Sequence, residues 1–421
     1  MENLTDTRVI KMSKIVDDYL MSLNSIKETF VSNYNLLKRS ESAARKSLKS
    51  FINSRNIDID DIDSILPIHT RDLKLIIKKI KRAELSAIIF PQSMLVSMVS
   101  QYDYFIGQLI QFIYAINPNL LNESNSQISY KDLFSFSDIS EIKSKIIQDK
   151  IEATLRKSHE EQLNDLQSLS SVGNLKGVSF WKDFIEITQR RNLLVHCKGC
   201  VSEQYIKECK KVGITSLPSK GDSLNVNETY FDKAYFVFYT MGVLLAQVII
   251  RHLLKKGNVI GEIDTMLTHI IYETLEDERY DISIALSEFA LTKTTKHSCR
   301  LDEVYFVLNY AQAYKWLGNQ DKCNEILSAF DFSAMTSDIL VAKYALENDV
   351  ASVVEHMIKA GNNSRIMTKN AYTSWVIFKE MRETEEFKKA YQTVFNEELI
   401  IELLTAEENK VVKESETEIQ D

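Results

Sequence analysis

Apolar and polar positions follow a helical period along most of the chain, as expected of segments that bury one face and wet the other. Residues 1–85 read as charged amphipathic helices, broken at the Asp-rich turn IDIDDIDSILP around Asp58–Pro67. Within them Leu73–Ile89 (LKLIIKKIKRAELSAII) sets bulky aliphatics among lysines at helical spacing. Pro91 suits a first helical turn, where a missing N–H costs nothing, so a long helix is expected from there to Asn117, with Pro118 ending it. The polar stretch NESNSQISYKDLFSFSD leads to a second long helix, from about Ser140 to Leu169. A further helix is expected over about Ser179–Cys197, then irregular chain until Asn227-Glu228-Thr229 opens an apolar helix. Inside it Ala234–Ile250 runs 17 residues without a charge, just short of the roughly 18–20 that span a bilayer. Thr240, Gln247 and two tyrosines interrupt it, and Lys233 and Arg251 close it, so it is expected as a helix buried in a bundle core, with no membrane contact.

Beyond Gly261 the pattern shortens to pairs. YETLEDERYDISIALSEFAL, NYAQAYKWLGNQDKCNEILSAF, AKYALENDVASVVEHMI and WVIFKEMRETEEFKKAYQTVF each read as helix, polar turn, helix. Aligning the turns makes Ile284, Cys323, Val353 and Phe387 equivalent, at separations of 39, 30 and 34, a range that signals a helical solenoid. The second pair resembles a tetratricopeptide repeat through Asn309, Ala313, Tyr314, Leu317 and Gly318; the others are degenerate. The acidic end of the chain after Glu402 is expected to fray.

Composition sharpens the fold class. Eleven Gly and four Pro compare with about 29 and 21 at average usage. Sheet proteins need such residues at every turn, so a sandwich, barrel or propeller is excluded and the expectation is an all-α protein. With 44% hydrophobic and 26% charged residues the chain is globular rather than disordered. Five of the eleven glycines (Gly173, Gly177, Gly199, Gly213 and Gly221) and Pro218 fall between residues 173 and 221, so the irregular chain is concentrated there.

A net charge of −8 argues against a protein that coats nucleic acid, but the charge is uneven. Residues 1–83 hold 16 Lys+Arg against 11 Asp+Glu, whereas the last 21 residues hold seven acids and two lysines. The five cysteines (Cys197, Cys200, Cys209, Cys299 and Cys323) and an N-terminal stretch without a basic-then-apolar leader lead us to expect reduced thiols and a cytoplasmic location.

The chain lacks G-x4-G-K-[ST], G-x-G-x-x-G, H-E-x-x-H and G-x-S-x-G. His69, His252, His269, His297 and His356 have no partner pattern, and His159-Glu160-Glu161 lacks the second histidine of a zinc helix. Cys197-Lys-Gly-Cys200 could join His196 and Cys209 around zinc, although the second ligand pair of a usual site is missing; free thiols after a helix are the alternative. The sharper candidate is GVSFWKDFIEITQRRNLLVHCKG, Gly177–Gly199. Phe180, Phe184, Ile187 and Leu194 repeat at helical spacing, and Asn192 and His196, four apart, share a face about 6 Å apart at Cβ. Arg191 lies on the neighbouring stripe. An Arg, an amide and a His near a helix end are what metal-free RNA cleavage needs: imidazole moves a proton of the ribose hydroxyl or the leaving oxygen, and guanidinium stabilises charge on the phosphoryl group. An exposed cation with a histidine on the helix dipole is the plainer alternative.

RRNLLVH at Arg190–His196 resembles the Arg-x4–6-His motif of the HEPN superfamily, in its Arg-Asn-x-x-x-His form. Trp181 and Phe184 upstream, Gly199, Val201 and Tyr205 downstream, the segment Gly221–Tyr235 and the early Ser97–Ile113 extend the resemblance over residues 88–255; Cys197 and Cys200 depart from it and leave the Arg–His pair intact. The resemblance implies a HEPN-like bundle of four or five helices at 88–258; with the helical periodicities on either side, the chain divides into an N-terminal helical region at 1–87, that bundle, tetratricopeptide-like repeats at 262–400 and an acidic tail at 401–421. The resemblance further implies a homodimer with a composite active site, acting as a metal-independent endoribonuclease of a prokaryotic antiviral defence or toxin system. His196 would be the acid/base residue, Arg191 the phosphate stabiliser and Asn192 a positioning residue. Arg190, Lys198, Lys207, Lys210 and Lys211 would line the RNA path, no cofactor would be needed, and the product would end in a 2′,3′-cyclic phosphate. The repeats would hold a protein partner. Three alternatives stay open: a non-catalytic HEPN adaptor or sensor, a toxin silenced by a nucleotidyltransferase-type antitoxin, and a zinc protein at His196, Cys197, Cys200 and Cys209.

Overall fold

The computed structural model describes residues 6–54, 70–121, 136–255, 259–294 and 297–400. The Asp-rich turn at 58–67, most of the polar stretch before residue 136 and the acidic tail at 401–421 lie outside the described residues. Among the described residues the protein is all-α, with fifteen α-helices, no strands and one isolated β-bridge between Cys200 and Ser223. Packing divides the chain into two compact units, residues 1–263 and 264–421.

In the first unit α1 (Thr7–Ser54) and α2 (Thr70–Ile116) run antiparallel. Tyr19 stacks on Phe105 at 4.3 Å between ring centres, Phe30 on Phe90 at 6.1 Å, and Arg45 meets Glu84 at 2.6 Å. The helix expected to begin near Pro91 in fact starts at Thr70 and passes through Pro91, which is buried. Loss of one backbone hydrogen bond there is offset by packing. A division at residue 87 therefore falls inside α2, and residues 7–54 belong to the same compact unit as the bundle that follows.

The single helix expected over 140–169 is two helices, α3 (Ile139–Leu155) and α4 (His159–Ser170). Ser158 caps α4: its hydroxyl accepts from the Glu161 N–H, and the Glu161 carboxylate accepts the Ser158 N–H at 3.0 Å. That reciprocal cap favours a new helix start over continuation. α3 crosses α2 at Gly107, where a Cβ would sit 3.2 Å from Ile151 Cγ2. Next come α5 (Trp181–Cys197), α6 (Glu203–Lys211) and α7 (Glu228–Leu253). α6 occupies part of the stretch expected to be irregular, started by Ser202, whose hydroxyl accepts from the Tyr205 N–H.

The apolar segment of α7 is the core, as expected. Two helical spans, Lys74–Ile116 and Glu228–Leu253, are long and apolar enough to cross a membrane, but 83% of the apolar window in the second is buried by protein. Phe238 packs on Phe184 and Tyr102, and the Tyr19 hydroxyl donates to the Phe238 carbonyl at 2.8 Å. Gly242 lets Tyr19 approach so closely that an added Cβ would overlap its ring. Asn227 caps the helix by accepting the Tyr230 N–H at 2.9 Å.

The division between the units falls within α8 (Val259–Glu276). The second unit continues with α9 (Tyr280–Thr292), α10 (Arg300–Trp316), α11 (Gln320–Ala329), α12 (Ser337–Glu347), α13 (Val350–Ala360), α14 (Lys369–Ser374) and α15 (Glu385–Phe395). Three of the expected pairs form, with left-handed residues at their turns: Glu278, Gly318 and Asn348. In the fourth, 3₁₀ turns at Val376–Phe378 and Met381–Glu383 stand where the first helix was expected. Cys323, Val353 and Phe387 are fully buried, whereas Ile284 is half-buried.

Candidate functional site

α5 carries the candidate motif, and its two faces are built differently. Phe184, Ile185, Ile187, Thr188 and Leu193 are buried against the core. The helix stops because Lys198 and Gly199 turn left-handed, at φ of 50° and 80°, and the Gly199 N–H returns to the Leu193 carbonyl at 3.0 Å. The outgoing chain is then clamped by three backbone bonds: Val201 N–H to Asp222 O, Leu224 N–H to Gly199 O, and Gly221 N–H to Val201 O, at 2.9, 2.9 and 3.0 Å. Only glycine fits at 199, since a Cβ would lie 2.8 Å from the Leu224 carbonyl oxygen.

One polar face is a closed network centred on the buried Glu186. Its carboxylate accepts from the Tyr205 hydroxyl of α6 at 2.7 Å, the Tyr230 hydroxyl of α7 at 2.7 Å and Arg190 Nε at 2.8 Å. Arg190 also donates to the Asn225 carbonyl at 3.0 Å and lies 3.9 Å over the Tyr230 ring. Burial, and the carboxylate beside them, hold both phenols well above their usual range, so they remain donors. This network ties α5 to α6 and α7.

The other polar face opens into a cleft of about 770 Å³. Arg191, Asn192 and His196 line it together, with Asp103 from α2, His159 from α4 and Lys211 from α6 among the facing residues. Arg191 Nη2 stands 3.5 Å from Asp103 Oδ2, and Arg191 Nη1 donates to Asn192 Oδ1 at 3.2 Å. His159 Nε2 is 3.1 Å from Asp103 Oδ1, within ion-pair distance but out of line for a hydrogen bond. Among the described residues, Asp103 Oδ1, His159 Nε2 and Arg191 Nε are all buried without a hydrogen-bond partner. These atoms lie beneath the cleft surface, two of them facing each other across the His159–Asp103 pair. His196 is exposed and makes no hydrogen bond or ion pair among the described residues.

The structure thus brings Arg191, Asn192 and His196 together and distributes the five basic residues otherwise. Arg190 belongs to the Glu186 network and does not line the cleft. Lys211 lines the cleft while paired with Glu208 at 2.8 Å. Lys207 and Lys210 line a shallower hollow beside it, with Glu203 and Ile206. Lys198 is exposed at the left-handed turn. The zinc alternative is not assembled: among the described residues no three His, Cys, Asp or Glu side chains converge on a metal position. Cys200 is exposed, while Cys209 is buried among Leu193, Val201 and Tyr205, where burial pushes its thiol up to about 11 and opposes the thiolate a metal requires.

Asp103 and His159 were missed by the sequence reasoning. Asp103 is the only charged residue between Glu84 and Glu123, a lone carboxylate in an apolar helix. His159 directly follows Ser158, and Ser158-His-Glu-Glu161 is a capping-box pattern that marks a helix start. Compared with family models, curated proteins and solved structures, the chain matches none.

Proposed function

We propose that the chain is a metal-independent endoribonuclease whose active site is the Arg191–His196 face of α5. The observation that carries this reading is one wall of one cleft lined by Arg191, Asn192 and His196, with His196 exposed and making no hydrogen bond or ion pair among the described residues. The cleft accommodates a nucleotide-sized group. In the reaction the ribose 2′-oxygen attacks phosphorus and the P–O5′ bond breaks, leaving a 2′,3′-cyclic phosphate on one fragment and a 5′-hydroxyl on the other. One proton leaves the 2′-hydroxyl and one must reach the 5′-oxygen. His196 is the group that moves a proton at the cleft mouth, and Arg191 stabilises charge on the non-bridging oxygens. Asn192 positions Arg191, whose guanidinium it holds through Nη1.

A single exposed imidazole serves one of the two proton transfers at a time. A second copy that presents its own Arg191–His196 pair supplies the other, so the reading includes a homodimer of HEPN-like bundles with a composite site. The helical pairs of the second unit are read as tetratricopeptide-like repeats that hold a protein partner. Incubating purified protein with total RNA and a chelator tests the reaction class. Wild type is expected to yield cyclic-phosphate fragments, and Arg191→Ala and His196→Ala are expected to yield none; cleavage that persists unchanged in His196→Ala overturns the nuclease reading. One observation favours a non-catalytic adaptor instead: Arg191 is already drawn to Asp103 at 3.5 Å. In that case Arg191→Ala lowers stability and no variant changes any RNA.

A further inference from the structure

The outer halves of α1 and α2 form a two-helix arm unlike the rest of the first unit. Between residues 35 and 53 only Ala44 is buried, and between 74 and 90 only Ile80 is buried. The arm nevertheless exposes Leu36, Leu75, Ile77, Leu85, Ile88 and Ile89, with Leu75 and Leu36 each 58% accessible. Isolated surface aliphatics are ordinary, but several on adjoining turns of one helix are not. Residues 36–54 and 70–90 hold eleven Lys+Arg against three Asp+Glu, so the arm carries +8 on a chain of −8. Glu41 and Glu84 are both taken up by Arg45.

The two kinds of side chain fall in register. Lys74, Lys78 and Arg82 follow one another at four-residue spacing along one row of α2. Ile77, Lys81, Leu85 and Ile89 follow at the same spacing along the next row, with Ile88 beside them. We propose that this arm lies on an anionic lipid surface. Its aliphatic row enters the boundary between headgroups and acyl chains, and its lysines and arginines extend to the headgroups. This is a peripheral contact, distinct from a membrane span, and it does not depend on the reading of the cleft.

Charge and chemistry select this occupant. A second copy of the arm would face +8 with +8, so its own kind is repelled. Single-stranded RNA would satisfy the cations but gain little from isoleucine and leucine, since bases are held by stacking on aromatics. The arm's described side chains include no exposed aromatic. An anionic bilayer uses both rows at once.

Flotation of the full chain with vesicles tests the proposal. Wild type is expected to float with phosphatidylcholine–phosphatidylserine vesicles and to remain behind with phosphatidylcholine alone. Each cation near such a surface contributes about fivefold to partitioning, so Lys74→Glu/Lys78→Glu/Arg82→Glu should lower it by about a hundredfold or more. Leu85→Gln/Ile88→Gln/Ile89→Gln should lower it by about tenfold or more even at low salt. Unchanged helical circular dichroism checks that both variants fold. Failure of wild type to float at low ionic strength overturns the proposal, as does equal flotation of all three proteins. Absent flotation with RNA retardation that the charge variant loses assigns the arm to RNA. Absent flotation with a dimer that the aliphatic variant splits assigns it to self-association. Either result replaces the lipid assignment.

Discussion

Arg190 and Arg191 are neighbours in sequence and lie about 100° apart around one helix, yet they serve different networks. On the Arg190 face every polar group has an answer: Glu186 takes three donors, and Arg190 has a carboxylate, a carbonyl and an aromatic ring. On the Arg191 face, Asp103 faces His159 at 3.1 Å and Arg191 at 3.5 Å, and among the described residues each of the three keeps a buried atom without a hydrogen-bond partner. The satisfied network ties α5 to α6 and α7, while Arg191 lines the cleft.

That contrast can be broken by substitution. The largest effect is expected from His196→Ala, which should lower RNA cleavage by about 10²- to 10⁴-fold while leaving unfolding within about 0.5 kcal/mol of wild type. A matching loss of stability would place His196 with the structural face. Glu186→Ala should do the reverse, costing about 3–5 kcal/mol in denaturant unfolding, because it strands Arg190 and two phenol hydroxyls in a buried site. A smaller loss, about 1–3 kcal/mol, is expected for Gly199→Ala, which forces a side chain into a left-handed turn against the Leu224 carbonyl.

Asp103→Asn sharpens the comparison further. The pairs it removes are largely buried, with Arg191 and His159 both facing Asp103, so unfolding should lose about 1–3 kcal/mol. Cleavage should fall by about tenfold through kcat, because Arg191 loses its fixed position; a change confined to KM would argue for a binding role instead. The smallest effect concerns Cys209 beneath the Glu186 network. Its thiol is raised from 9.0 to about 11 by burial, so the folded state favours the neutral form. Its contribution to stability is complete below the ordinary thiol range and is lost as pH rises through about 11. The fall in unfolding midpoint between neutral and strongly alkaline pH should therefore be steeper in wild type than in Cys209→Ala.

Much of the site was legible because local rules governed it. Asn192 and His196 share a face by helical geometry alone, Gly199 announced the turn, and the Asn227 cap and apolar run announced α7. The break at Ser158 was legible too, but an apolar period running across it concealed the cap. Pro91 misled for a related reason: proline suits a helix start, yet packing of α2 in the bundle outweighed one lost hydrogen bond. α6 was hidden among glycines because it spans only nine residues, too few to show a period.

The amino-acid sequence alone determined that the protein is helical, which helix bears the candidate chemistry and where irregular chain gathers, since each follows from spacing within a turn or two and from the scarcity of glycine and proline. Only the tertiary structure decided which charges meet. Asp103, His159 and Arg191 come from three helices separated by many residues, and no local period links them. Their convergence depends on how those helices cross around Tyr102 and Phe184. The same is true of the two arginines: which one is bound into the fold and which faces the cleft was settled by the position of Glu186 relative to α6 and α7.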